Sequence, residues 1–148
     1  MGSLWRDDAR NRLLSRLDRL TPDSTARWGR FSCPAMLAHL NDSLRMSLGE
    51  IRPAEVRLPL RFFPLKQLVI YLMPFPRSAP TSPALLVRCD TAVLDEEKRE
   101  FRELLLKFAT VPAGYRWPRH PAFGAMTRRS WGVLGYRHID HHFRQFGA

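Results

Sequence analysis

The chain has 148 residues, 45% of them hydrophobic and 26% charged, a balance that describes one globular core and excludes disordered, collagen-like and repeat architectures. The formal net charge is +10, a sign that suits anionic partners. Yet 21 of the 24 basic residues are arginine, spread from Arg6 to Arg144, with no zinc-finger, helix-turn-helix or RNP signature, so specific nucleic-acid binding is not expected.

Four segments carry helical periodicity. The first runs from about Leu4 to Leu20, with Leu13, Leu14, Leu17 and Leu20 on one stripe. The turn-rich stretch "TPDSTARWGRFSCP" follows. Ser32 before Cys33 and Pro34 is a helix-start signal, and Gly49 a C-terminal stop, so the second helix spans roughly 32–49. On it Leu37, Leu40, Leu44 and Leu48 extend an apolar arc, with Asn41, Asp42 and Arg45 on the polar side. Residues 50–83 hold many of the prolines, with a short helix expected from Leu65 to Met73. The third helix is expected over Asp95–Ala109, its acids in the first turn where the helix dipole favours them. A loop rich in proline and glycine, "TVPAGYRWPRHPAFGAM", leads to the last helix, capped by Thr127 or Ser130.

Four sizeable helices without strand signals predict an all-α, single-domain chain over 1–148, as a four-helix bundle with a proline-rich irregular insert between helices two and three. Cys33 and Cys89 stand in no paired motif, so a reducing cytoplasm is expected. "MGSLWRDDARNR" has no signal-peptide core. The uncharged run from Gln67 to Pro76 is half the ~20 residues a spanning helix needs. No membrane partner is expected.

The chemistry sits in "YRHIDHHFRQFG", residues 136–147. At about 100° per residue, His138 shares a stripe with Trp131, Leu134, His142 and Gln145, the stripe that should meet the core. His141 lies about 60° off, a weaker candidate. On helix two, His39 also points inward, among Ala35, Met36, Ser43 and Met46. An i, i+4 pair sets two imidazoles one turn apart, and a third from a facing helix completes a three-nitrogen set with coordination positions left open. That is the pattern of a catalytic divalent-metal site. The competing reading is a hydrogen-bonded core histidine plus a cationic C-terminal patch. Ile139 replaces the glutamate of an HExxH motif, so no general base comes from that position.

"SCPAMLAHL" and "HPAFGAMTRRSWGVLGYRHIDHHFRQFG" together resemble the DinB-like superfamily, and within it a branch of mostly uncharacterised bacterial proteins. The resemblance is good over helix two and residues 120–147 and loose over the first helix and the middle. It implies a DinB-like four-helix bundle with a nickel, zinc or iron ion on His39, His138 and His142. It also implies metal-dependent thiol transfer or hydrolysis on a small-molecule substrate, with a low-molecular-weight thiol as cosubstrate. Tyr71, Trp131 and Arg137 are candidates to line the pocket. His120 is either a loop residue before a turn or a residue that closes over the site. Relatives commonly dimerise, and the apolar "FFPLKQLVIYLMPF" stretch either forms a homodimer contact or closes one end of the bundle. A non-enzymatic binding or oligomerisation module and a basic nucleic-acid-binding protein are the alternatives.

Overall fold

The structure, a computed structural model, describes residues 1–56, 58–77, 83–86 and 92–148. It is all-α: α1 (Asp7–Asp18), α2 (Cys33–Ser47), α3 (Leu65–Gln67, running on into a wide turn over Leu68–Leu72), α4 (Leu94–Ala109) and α5 (Arg128–Gln145). Short 3₁₀ turns occupy Pro59–Arg61 and Pro83–Leu85. Among the described residues the only β feature is a bridge between His120 and Gly124.

Local chemistry fixes the ends of the helices that carry the histidines. The Ser32 hydroxyl accepts the Ala35 N–H at 3.2 Å, Pro34 sits in the first turn, and Gly49 follows the helix at φ 75°. Such a cap contributes about 1 kcal/mol. Thr127 caps α5 in the same way, accepting the Ser130 N–H at 3.1 Å. The first helix is shorter than its leucine stripe predicts. Arg6 is extended, and Leu4 donates its N–H to the Gly132 carbonyl at 2.9 Å, so Leu4 and Trp5 lie along α5 instead of extending α1.

That approach depends on α5 having no side chains at two positions. A Cβ at residue 132 would stand 2.3 Å from the Trp5 ring, and one at 135 would stand 2.6 Å from Leu4 Cδ1. Helix α2 packs on α4 and α5, and α1 on the same two. Leu13, Leu17, Met36, Leu37, Leu40, Phe101, Phe108 and Phe143 are fully buried between them.

Helix α2 is enclosed on nearly every side, with 12 of its 15 residues buried. Its expected polar face is therefore not solvated. Asn41 donates to the carbonyl of Glu97 at 3.0 Å and to its carboxylate at 2.7 Å, while Arg45 bridges Asp42 and Glu100. This face meets α4, and the polar residues pair across that interface. Cys33 is a buried free thiol; Cys89 and parts of the proline-rich insert lie outside the described residues.

Candidate metal centre

The contact of α2 with α5 brings His39, His138 and His142 together. One ring nitrogen from each lies within 4.8 Å of the others. His39 Nε2 and His138 Nε2 are 3.1 Å apart. Two ligand nitrogens on a tetrahedral ion at about 2.0–2.1 Å are separated by about 3.3 Å. The His39–His138 pair stands close to that spacing, and all three nitrogens lie within 4.8 Å of one another.

The second ring nitrogens of His39 and His142 have partners of their own. His142 Nδ1 donates to Gln145 Oε1 at 2.8 Å, and Gln145 Nε2 donates to the Trp28 carbonyl at 2.6 Å. His39 Nδ1 faces the Leu85 carbonyl at 3.4 Å. Each contact fixes a tautomer with Nδ1 protonated, so that Nε2 presents its lone pair to the centre.

His39 and His142 are buried and His138 is half-buried. Burial is the main reason that all three titrate below the ordinary imidazole range. It pushes His39 down against the weaker upward pull of Leu85 and Asp42, and pushes His138 well down with help from the neighbouring histidines. His142 falls to about 3, through burial and then repulsion from His39. Neutral imidazole is the form that binds a metal ion.

Aromatic rings close the surroundings. Phe31 stacks on His39 at 5.4 Å between centroids and meets His142 edge-on at 5.9 Å. Phe75, from the insert, lies 6.2 Å from His138 and 5.8 Å from His141. His141 is half-buried beside Trp28, outside the three-nitrogen group.

The other sequence candidates have different places. His120 Nδ1 accepts the N–H groups of Ala122 and Phe123, and its ring packs on Trp131 at 5.4 Å. It builds a turn and does not join the cluster. Tyr71 shares a 2.9 Å hydrogen bond with Ser130. Arg137 donates to the carbonyls of Val69, Ile70 and Met73, bracing the end of the insert helix. The residues that surround the histidines most closely, Phe31, Phe75, Leu85 and Trp28, come from irregular segments where no periodicity marks them. Gln145 lies on the stripe of His138 and His142, and its place there gives no sign of the amide's part behind His142.

The family model described as "Protein of unknown function (DUF1569)" matches residues 6–148, nearly the whole chain and both helices that carry the site. The chain belongs to the DUF1569 family. No curated protein and no solved structure matches it. In this DUF1569 member no described helix is long and apolar enough to cross a membrane.

Proposed function

We propose that this protein is a DinB-like four-helix bundle whose His39, His138 and His142 hold a divalent nickel, zinc or iron ion, and that it is a thiol-dependent transferase or hydrolase of a small molecule. The observation that carries the reading is the convergence of three imidazole nitrogens within 4.8 Å, with the outer nitrogens of His39 and His142 engaged by Leu85 and Gln145. A hydrogen-bonded core histidine explains one such residue; it does not explain three that converge, two of them with second partners in place.

An ion on three neutral imidazoles keeps its positive charge and supplies Lewis acidity that lowers the pKa of a bound thiol or water. The chain's own residues do the rest. Gln145 and Leu85 orient the ligands, burial keeps them unprotonated, and Phe31 and Phe75 limit access of bulk water. The set contains no carboxylate and no thiolate, and a nitrogen-only set suits nickel, zinc or iron better than magnesium or calcium.

The test is metal analysis of the purified protein after loading, beside His138→Ala and His142→Ala. One equivalent of transition metal is expected in the parent and a large loss in both variants. Equal, near-zero occupancy in all three would reject the site.

A further inference from the structure

The positive charge is unevenly placed along the chain. Residues 56–89 hold five basic residues and no acid, and residues 104–139 hold six and no acid. The other 13 basic residues share the rest of the chain with all 14 acids, so the whole excess resides on these two stretches.

Among the described residues the fold sets Val56, Lys66 and Val69 of the first beside Pro121, Ala125 and Arg137 of the second; Arg57 and Arg88 lie outside the described residues, and Arg77 packs over the Trp28 ring. The Val56 N–H donates to the Pro121 carbonyl at 2.9 Å, Lys66 to the Ala125 carbonyl, and Arg137 to the Val69 carbonyl at 2.9 Å. Arg129 lies over the Tyr71 ring, 5.6 Å from its centroid. Glu55, at the edge, pairs with Arg61 and Arg119 and leaves Lys66 and Arg129 without an acidic partner among the described ion pairs.

The same insert also carries exposed apolar groups. Of eleven large apolar side chains exposed among the described residues, seven fall between Val56 and Met73. Phe63 is 81% exposed, Phe62 and Leu72 69% each, and Met73 48%. A soluble surface rarely gathers such groups without a partner.

We propose that this face docks on the surface of an anionic lipid bilayer. Phe62, Phe63, Leu72 and Met73 enter the boundary between headgroups and acyl chains, and Lys66 and Arg129 lie against the headgroups. Charge complementarity selects this occupant. A second copy would set one basic face against another, at an electrostatic cost. Nucleic acid matches the charge and stacks on aromatic rings, but has no use for the leucine and methionine beside them. A bilayer interface takes aromatic, aliphatic and basic groups together. The shortness of the uncharged run from Gln67 to Pro76 bears on spanning a bilayer and not on lying upon it.

The test is co-sedimentation of the full chain with vesicles of phosphatidylcholine alone, and of phosphatidylcholine with one third phosphatidylglycerol, across a salt series. Binding to the anionic vesicles is expected, weakening with salt, with little retention on phosphatidylcholine. Phe62→Ser with Phe63→Ser should lower that binding about tenfold or more, since two exposed apolar rings are lost, with helical content and melting temperature unchanged. Arg129→Glu, which leaves the phenylalanines intact, should lower it about tenfold through charge reversal. Failure to bind anionic vesicles would overturn the proposal, as would equal binding to both compositions. Preference for a single-stranded oligonucleotide over the anionic vesicles would also overturn it. So would a dimer that the serine pair disperses with no vesicle binding.

Discussion

The Nδ1–H of His142 donates to the side-chain oxygen of Gln145 at 2.8 Å, and the Gln145 amide in turn holds the Trp28 carbonyl at 2.6 Å. One buried amide thus ties a candidate ligand to the loop ahead of α2. It also decides which imidazole nitrogen faces His39 and His138. Groups of this kind behind a ligand typically contribute 10–100-fold in metal affinity.

The Gln145→Leu variant is therefore expected to weaken zinc or nickel binding about 10–100-fold, measured by competition with a chromophoric chelator. Circular dichroism should stay close to that of the parent, because the leucine fills a similar volume. Parent-like affinity would mean that the amide serves only the loop.

Removing a ligand outright should have a larger effect. His39→Ala is expected to lose more affinity than Gln145→Leu, because two imidazoles remain where three converged. Its apo form should melt below the parent's, since the truncation leaves a cavity beside Phe31 where a buried, hydrogen-bonded ring stood. Chelator competition and thermal melts with EDTA separate the two effects.

Away from the site, Gly132→Ala should destabilise the fold by about 1–3 kcal/mol, the usual cost of overpacking. The added Cβ would stand 2.3 Å from the Trp5 ring and 2.7 Å from Ser3 Oγ. Urea denaturation measures the loss, and metal affinity should stay at the parent's value. An unchanged midpoint would mean that the N-terminal segment moves aside freely.

The candidate ligands were legible because each lies on a regular helix whose period is fixed by backbone geometry. His138 and His142 share a face by spacing alone, and His39 stands among Met36, Leu40 and Met46, whose burial had to be inward. The surroundings were not legible. Phe31, Phe75 and Leu85 reach the histidines from turns and from the insert, where position depends on tertiary packing. Asn41 and Arg45, with Asp42 between them, read as a solvent face because the partners of the first two, Glu97 and Glu100, are more than 50 residues away in sequence. Gly132 and Gly135 gave no local sign that Leu4 and Trp5 would lie against them.

The last prediction concerns pH. The unperturbed imidazole value is about 6.5, while burial lowers all three site histidines in the folded protein, His142 to about 3. Between these values the unfolded chain binds more protons than the folded one. Stability therefore rises with pH across that window, and falls as pH drops below 6.5 by up to about 1.4 kcal/mol per pH unit for each histidine. That loss applies to the metal-free and the metal-loaded protein alike, since both unfold to the same protonated chain. The added stability of the loaded form behaves differently. It depends on proton competition at the folded site, which begins only near the lowered folded values. The melting temperature of each form should decline from pH 6.5 downward, while the difference between loaded and EDTA-treated samples persists below pH 6.5. The difference should then close as pH approaches the value near 3 for His142. Paired melts from pH 8 down to about pH 3 make the comparison. A difference that closes already around pH 6.5 would show that the three histidines titrate as exposed side chains. No difference at any pH would remove the metal from the site.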